Sequence, residues 1–309
     1  MIYDAQGNPN VMVVIPRFNY EDLGLADLQL GTGTPTAFLT NGAPRGEIMI
    51  AKYLASAGGP TCSVIGGVQP QVYVNYDQAK ARCTGKGAGW HLMSHHEWSA
   101  ISLLAFGNGT APRGNTYYGR AHDRPIETAR RADDGAPGDT SGTGRTDTGS
   151  GPATWSHDHT DFGVCDLVGN VWEWQDQMKL VDGQIVTTLD NAPEELESSW
   201  IAQQAYYNAS GGLKLDSSVT VPGSVNVEFR QLGKSASYVP NELMRRLMLE
   251  TASPNTLNGR IYADNRGERL PIRGGSWDYG SNAGLSALYL SFSRSLSNSR
   301  IGFRPAYFS

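Results

Sequence analysis

Cysteines, long apolar runs and a secretory signal are scarce or missing in this 309-residue sequence. The three cysteines, Cys62, Cys83 and Cys165, are too few and too scattered for a disulfide framework, so we expect idle thiols, with a Cys62–Cys83 pair as the alternative. No stretch approaches the roughly 20 apolar residues that cross a bilayer, so we expect no membrane insertion. Residues 1–16 contain no basic segment leading into an apolar core, which predicts synthesis in the cytosol without a signal peptide.

An excess of positive charge is also lacking. The chain has 25 Lys and Arg against 30 Asp and Glu, a net charge of −5, and no run of basic residues. Because phosphates require a basic face, this balance argues against a nucleic-acid partner. What the sequence has instead is glycine (37 residues), tyrosine (14) and tryptophan (7), together with 39% hydrophobic residues. This composition predicts a folded, loop-rich α+β or β protein whose loops carry the functional surface.

The first half of the chain gives clear local signals. Alternating apolar and polar residues predict strands over residues 11–16 and 47–53. Asn75 is a suitable N-cap for a helix over 76–86, and Ser94 with Glu97 forms the sequence pattern of a capping box that opens a second helix. Residues 132–153 almost lack large apolar groups, which is typical of a flexible linker or, alternatively, of an ordered surface loop held by Asp and Thr turns.

The second half of the chain changes character along its length. A strand over 171–175 is followed by a hairpin of 178–181 and 184–188, with Asp182-Gly183 as its turn. Helical candidates cover 194–206 and 241–250. We interpret residues 190–260 as an insertion into the scaffold rather than as an independent domain.

Three short motifs follow one another in a fixed order. They are GVCDLVGNVWEW at 163–174, RGGSW at 273–277 and IGFRP at 301–305. The glycines suit tight turns and close backbone approach, and the large side chains suit a core. We therefore expect Trp172, Trp174, Trp277 and Phe303 to anchor the core rather than to contact a ligand.

This set of motifs resembles the formylglycine-generating-enzyme family, whose fold is an elaborated C-type lectin fold. The resemblance covers residues 47–309 and includes GAGWHLMSHHE at 87–97 and PRGNTYYG at 112–119. It implies an α+β, C-type lectin fold of the formylglycine-generating-enzyme type with insertions. In this arrangement, residues 1–46 are N-terminal strands and an extension packed on the lectin domain, and residues 273–304 form a C-terminal variable region.

The chain departs from the enzymes of that family. Where the oxygen-dependent members carry copper-binding cysteines, this chain has Tyr279 and Gly284, and no cysteine follows Cys165. Copper(I) requires soft thiolate ligands, so that chemistry is missing. His95 and His96 are adjacent on a predicted helix and point to different faces, and His157-Asp158-His159 suits a polar turn better than a metal site. We therefore predict a protein that is not an enzyme.

The C-terminal segment resembles the variable region of diversity-generating retroelement proteins. In that family, adenine-directed mutagenesis rewrites AAC asparagine codons that are copied from a template. The corresponding positions here are predicted to bind ligand: Ser276, Asp278, Tyr279, Tyr289, Ser291, Phe292, Leu296, Asn298, Ser299 and Arg300.

The residues at these ten positions fit that origin. All of them are reachable by changing only the adenines of AAC, and none is Lys, Glu, Gln, Met or Trp, which are unreachable. The glycines and apolar residues between them have turn or packing roles. The simpler interpretation is an ordinary Ser- and Asn-rich loop, but it leaves Tyr279, Tyr289, Phe292, Leu296 and Arg300 as an unexplained exposed set.

The same resemblance raises a metal question. In the enzyme family, the run through GNVWEW supplies calcium ligands, which here correspond to Asp166, Gly169, Val171 and Glu173. Two carboxylates and two backbone carbonyls suit a hard cation. Alternatively, Asp166 caps a turn and Glu173 pairs with an arginine. We expect no cofactor other than this calcium.

Taken together, the motifs predict a hypervariable protein that binds a protein or surface-receptor ligand. The predicted side chains cover less than the roughly 800 Å² per partner of a standard interface, which favours multivalent display or a homo-oligomer. The resemblance implies display on a virion or a cell surface. The alternatives are a catalytic family member with a different metal or cofactor, and a structural phage-tail or surface protein without diversification.

Overall fold

The computed structural model describes residues 1–252 and 257–308. Residues 253–256, inside the predicted insertion, and Ser309 lie outside the described residues. The N-terminal half contains nine short strands and two helices, with these bounds: β1 Ile2–Tyr3, β2 Pro9–Asn10, β3 Met12–Pro16, β4 Leu39–Thr40, β5 Ala43–Pro44, β6 Glu47–Ala51, β7 Ser56–Gly58, β8 Thr61–Ser63, α1 Tyr76–Thr84, β9 Trp90–Leu92 and α2 His95–Gly107.

The C-terminal half is mostly β-structure. Its described elements are β10 Trp172–Trp174, β11 Met178–Val181, β12 Gln184–Thr187, β13 Ile201–Asn208, β14 Lys214–Asp216, β15 Ser224–Glu228, β16 Gly233–Lys234, α3 Glu242–Arg246, β17 Arg260–Asp264, β18 Glu268–Gly274, β19 Gly284–Phe292, β20 Ile301–Phe303 and β21 Pro305–Tyr307. None of the helices in the described ranges is long and apolar enough to cross a membrane.

Two mixed or antiparallel sheets organise these strands. The larger has eleven strands, with the order β15-β17-β19-β18-β11-β12-β13-β14-β16, while β10 joins β18 and β20 at its side. The smaller has the order β3-β6-β21-β9, so that it combines the N-terminal strand with the last strand of the chain. Pairs β1-β2, β4-β5 and β7-β8 form small separate ribbons.

The local signals of the first half are confirmed. Asn75 and Gln78 cap α1 reciprocally, and Ser94 and Glu97 do the same for α2. Each box satisfies two backbone N–H groups that a helix start otherwise leaves without partners. The predicted hairpin also forms, since β11 pairs with β12 across Asp182-Gly183.

The helix predicted over 194–206 is wrong. A short 3-10 turn at Glu197–Ser199 precedes β13, in which every second side chain, Gln203, Ala205 and Tyr207, is buried. This period of two belongs to a half-buried strand, and pairing with β12 and β14 overrides the helical propensity of the glutamates and alanines. The helix predicted over 241–250 is shortened to α3, since Met248 adopts a left-handed φ of 52°.

Residues 132–153 form the ordered loop of the two alternatives. The guanidinium of Arg131 is almost completely buried, donates to the Asp133 carboxylate, and also donates to the carbonyls of Ala136, Asp139 and Ser141. One arginine therefore holds four residues of the loop together. The flexible-linker interpretation is wrong because these hydrogen bonds hold the loop in place. The composition of the loop does not reveal them.

The core supports the strands that carry the C-terminal segment. Trp172 and Trp174 are buried with Leu270, Ile272 and Phe303, as expected from their motifs. Trp277 is only 3% exposed. The three cysteines are free thiols; Cys62 and Cys83 are buried, and Cys165 is partly buried.

Candidate ligand-binding surface

Two consecutive glycines start the C-terminal segment. Gly274 and Gly275 have φ values of 94° and 99°, which L side chains rarely adopt. A Cβ on Gly275 would lie 2.5 Å from the Cβ of Ala283, and one on Gly274 would lie 2.6 Å from the carbonyl oxygen of Leu167. The two glycines of the RGGS motif therefore allow the backbone to turn in close contact with Ala283 and Leu167.

The beginning of the segment is held through its main chain. The backbone N–H of Trp277 donates to Asn170 O at 3.1 Å, and its carbonyl accepts from the N–H of Tyr118 at 2.8 Å. The N–H of Gly280 donates to Thr116 O at 3.0 Å. All three partners lie outside residues 273–304.

The end of the segment is held in the same way. The carbonyl of Arg300 accepts from the N–H of Trp172 at 2.8 Å, and that of Asn298 accepts from Tyr73 at 3.1 Å. The carbonyl of Ser299 accepts from Arg145 Nη1 at 3.1 Å. Since a carbonyl is common to every residue, these contacts do not depend on the side chains at positions 298–300.

Three predicted positions share one aromatic cluster. Tyr289 and Phe292 stack with ring centroids 4.4 Å apart and planes 4° apart. Tyr279 and Tyr289 each meet Trp172 edge to face, with centroids 5.1 and 5.7 Å away. Such ring pairs contribute roughly 0.5–1.5 kcal/mol beyond the area they bury. All three rings of the predicted positions are partly exposed.

A β-bulge places Tyr289 and Phe292 on the same face. Between the pairs Leu270↔Phe292 and Ile272↔Tyr289, strand β19 has one residue more than β18. In a regular strand, residues three apart point to opposite faces, but an extra residue reverses this alternation. The bulge therefore brings together side chains that the alternation of the sequence separates.

A chain of polar contacts links three other predicted positions. Arg300 donates to Asp278 through Nε at 3.0 Å and Nη2 at 2.8 Å, and it lies 5.2 Å from the ring centroid of Trp277. Ser276 Oγ donates to Asp278 Oδ1 at 2.8 Å. Ser276 is completely buried, so the prediction that it contacts ligand directly needs correction: the preceding glycine turn places it beneath Asp278.

The remaining four predicted positions are partly exposed. Leu296 packs against the buried core cluster that contains Trp172 and Phe303, and Asn298 Oδ1 accepts from the backbone N–H of Arg300 at 2.8 Å. The Ser291 hydroxyl is buried without a hydrogen-bond partner among the described residues. Ser299 contributes its carbonyl to Arg145, as described above. Nine of the ten predicted positions, all except Ser276, are therefore at least partly exposed as residues, although the hydroxyl of Ser291 points inward.

Tyr262 was not among the residues predicted from the sequence. This residue lies in β17, opposite Tyr289 in the parallel pair β17-β19, and its ring stacks on Tyr289 with centroids 4.5 Å and planes 16° apart. It also meets Tyr279 edge to face at 6.2 Å. Its neighbours Ile261 and Ala263 are buried, so the period-two pattern before the Asn265-Arg266-Gly267 turn was the signal for a strand here.

The carboxylates of the calcium hypothesis have protein partners. Both oxygens of Glu173 accept from Arg304 at 2.9 Å, and both side chains are buried. Asp166 Oδ2 accepts from the backbone N–H of Gly149 at 2.7 Å. Burial raises the pKa of each of these two carboxyls, and Arg304 opposes this rise.

This arrangement does not fit a calcium ion. A guanidinium occupies Glu173, which leaves Asp166 and the carbonyls of Gly169 and Val171 as the remaining donors, and its charge repels a divalent cation. The arginine pairing and the turn role that the sequence left open are the ones observed. Within residues 1–252 and 257–308, no group of three or more His, Cys, Asp or Glu side chains is arranged to hold a metal.

Each of the six histidines has a hydrogen-bond partner among the described residues. His95 contacts Arg273 and the Leu247 carbonyl, whereas His96 bridges Thr36 and Thr188, so the adjacent rings point in different directions as predicted. Burial lowers the pKa of His96 to about 4. The backbone N–H of Val164 donates to His157 Nδ1 at 2.9 Å, in agreement with a satisfied polar turn.

Comparisons with known proteins give distant structural likenesses. No family model matches the chain, and no curated protein matches it. Among solved structures it is similar to the M1 variant of the Major Tropism Determinant, with a TM-score of 0.37 and 15% identity over 84% of this chain and 50% of that one. It is also similar to PvdO from Pseudomonas aeruginosa, with a TM-score of 0.39 and 12% identity over 96% and 93% of the two chains.

A third similar structure is the Treponema denticola variable protein 1. Its TM-score is 0.37, with 14% identity over 96% of this chain and 94% of that one. By its name that structure is a variable protein. This chain spans about half the length of the Major Tropism Determinant structures that it matches. The mixed sheet and few helices of the described residues fit a C-type lectin-like fold.

Proposed function

We propose that the chain is a hypervariable ligand-binding protein, not an enzyme, and that its segment 273–304 is diversified by a retroelement. The observation that carries this proposal is that the backbone of the segment is fixed while most of its predicted positions are exposed. Its backbone is bound by residues outside it, through carbonyl and N–H groups that any residue provides. Nine of the ten predicted positions are at least partly exposed, so their side chains can change while the backbone contacts of the segment stay intact.

The composition of the surface supports binding. Tyr279, Tyr289, Phe292 and Arg300 provide large, rigid or planar groups, which dominate the affinity of protein interfaces. They stand on a core of tryptophans and on the buried pair of Glu173 and Arg304. A rigid frame limits the entropy lost on binding, as in an antibody paratope.

The finer assignments belong to the same proposal. The fold is an α+β C-type lectin fold of the formylglycine-generating-enzyme type, with residues 1–46 as an N-terminal extension, 47–309 as the lectin domain and 190–260 as an insertion. The ligand is a protein or a surface receptor. Because the surface is small, we propose display in several copies, as a homo-oligomer or on a virion or cell surface.

Deep sequencing of the 3′ end of this gene across a population, with its flanking DNA, tests the proposal. We expect substitutions confined to the codons of the ten positions, and a nearby imperfect repeat with AAC at those sites. An invariant 3′ end without such a repeat would contradict diversification. In that case metal analysis of the purified protein would test the catalytic alternative.

A further inference from the structure

We propose that an arginine rim, formed by Tyr117, Tyr118, Arg120 and Arg145, binds a carboxylate-rich segment of the partner protein. The rim lies beside the variable face, by which we mean the surface formed by the nine predicted positions of segment 273–304 that are at least partly exposed. All four residues lie outside the segment 273–304, so the diversification proposed above would leave the rim unchanged. The inference rests on the proposed function only in placing a partner on this face. It adds a fixed, charge-selective contact to a surface whose other contacts change.

The rim is a continuous row of aromatic and cationic groups. The guanidinium of Arg120 lies 5.0 Å from the ring centroid of Tyr117, and that ring meets Tyr118 edge to face at 5.7 Å. Tyr118 and Trp277 converge on Gly144, where an added Cβ would lie 2.8 and 2.4 Å from their rings. Arg145 follows directly in the chain, 5.9 Å from the Trp277 centroid.

The rim borders the variable face directly. Arg145 Nη1 donates to the carbonyl of Ser299, and Arg300 lies over the same Trp277 ring that Arg145 approaches. A partner that contacts Arg300 and Ser299 is therefore within reach of Arg145. All four rim side chains are partly exposed.

The two arginines of the rim have no ion-pair partner among the described residues, and the carboxylate that acts on Arg145, that of Asp133, does so from beyond ion-pair distance. Among residues 1–252 and 257–308, no carboxylate oxygen lies within 4.0 Å of Arg120 or Arg145. Other arginines on this side are paired: Arg300 with Asp278, and Arg294 with Asp77, Glu197 and Glu268. The Nε atoms of Arg120 and Arg145 are also buried without a hydrogen-bond acceptor, and burial lowers the pKa of Arg145.

Two guanidinium groups without an ion-pair partner among the described residues favour an anionic partner. Arginine binds carboxylates through planar, charge-assisted hydrogen bonds, and a flanking aromatic ring keeps its side chain in place. Because the whole chain carries a net charge of −5, this local positive charge is not a consequence of overall composition. It selects for acidic groups at the edge of the contact and steers their approach.

Titration of the purified full chain with octaglutamate at low ionic strength tests the rim, with octalysine as the reference peptide. We expect octaglutamate to bind and octalysine not to bind. The double variant R120A/R145A should bind octaglutamate with an affinity at least about tenfold lower, because charge-assisted hydrogen bonds are lost. The matched control is R17A, which removes an exposed arginine after β3 in the other sheet. It should stay within about twofold of the wild type.

A second variant separates charge from packing. R120Q/R145Q keeps the aliphatic stems against the tyrosines while removing both charges, so it should lose affinity as the alanine variant does. Equal binding by the wild type and both double variants, or no binding by the wild type, would overturn the rim. Tighter binding of dextran sulfate than of octaglutamate at the same arginines would overturn the assignment of a carboxylate partner.

The two proposals fail in different ways. If the 3′ end is invariant but octaglutamate binding needs Arg120 and Arg145, the rim stands and diversification fails. If the ten codons vary but the affinity for octaglutamate does not depend on either arginine, the diversification proposal is supported and the rim proposal is contradicted.

Discussion

Arg300 and Arg304 are close in the chain and make the same kind of contact in opposite surroundings. Each uses Nε and Nη2 to bind one carboxylate, Arg300 that of Asp278 and Arg304 that of Glu173. The Arg300 side chain is 46% exposed and that of Asp278 19%, whereas Arg304 and Glu173 are 0% and 1% exposed. The first pair belongs to the variable face and the second to its frame.

The difference lies in what remains when one partner is removed. Breaking a buried pair leaves a charge that water cannot reach, which costs about 3–5 kcal/mol. Breaking an exposed pair exchanges protein contacts for water and costs about 0–1 kcal/mol. The chain therefore passes from changeable to unchangeable positions within a few residues, because burial rather than residue type decides the cost.

The largest effect is expected for Arg304→Ala. Its removal leaves the buried Glu173 unpaired and also leaves the carbonyls of Ala51 and Cys165 without their donor. We expect a loss of about 3–5 kcal/mol in the free energy of unfolding, measured by urea denaturation. A loss below about 1 kcal/mol would show that the frame does not depend on this pair.

The next effect is a dependence on pH that arises in the frame. Burial lowers the pKa of His96 to about 4, from 6.5 in the unfolded chain, so the unfolded state binds the proton first. Stability from this group is present above pH 6.5 and is lost as pH falls towards 4, by at most about 3 kcal/mol. His96→Gln should reduce the dependence of the unfolding free energy on pH between pH 7 and 4. An unchanged slope of unfolding free energy against pH would contradict this assignment.

Two adjacent residues of β19, Leu288 and Tyr289, allow the cost of a buried and of a partly exposed substitution to be compared directly. Leu288→Ala removes a side chain that is fully buried in the core and should cost about 2–5 kcal/mol. Tyr289→Ala removes a partly exposed ring that stacks on Tyr262 and Phe292 and should cost about 1 kcal/mol. Thermal unfolding of both variants, with Tyr289→Phe as control, checks the order; equal losses would mean that Tyr289 belongs to the frame.

A smaller effect is expected for Arg300→Ala. The exposed pair with Asp278 is screened by salt, so the free energy of unfolding should change by about 0–1 kcal/mol. Urea denaturation beside Arg304→Ala measures the contrast directly. A loss as large as that of Arg304→Ala would contradict the idea that Arg300 is free to vary.

The smallest effect is expected for calcium. Because Arg304 occupies both oxygens of Glu173, calcium should not stabilise the protein, and its removal by a chelator should leave the melting temperature unchanged. A rise in melting temperature with calcium concentration would restore the calcium hypothesis. It would also require Arg304 to leave Glu173.

Local signals in the sequence determined much of the fold. The N-cap at Asn75, the capping box at Ser94 and the Asp182-Gly183 turn depend on contacts between near neighbours, and each forms as predicted. The order of the tryptophan and glycine motifs was enough to anticipate the buried frame. The positions proposed to vary were also marked by sequence alone, because that prediction depends on codons rather than on geometry.

Tertiary structure alone decided which side chains meet. Tyr262 reaches Tyr289 only because β17 and β19 pair, and Phe292 joins them only because a bulge reverses the alternation of β19. The choice of Arg304 as partner of Glu173 likewise follows from a contact between distant segments. Local sequence carries turn and capping preferences, but burial and pairing depend on how the whole chain packs, and these set the energy of each position.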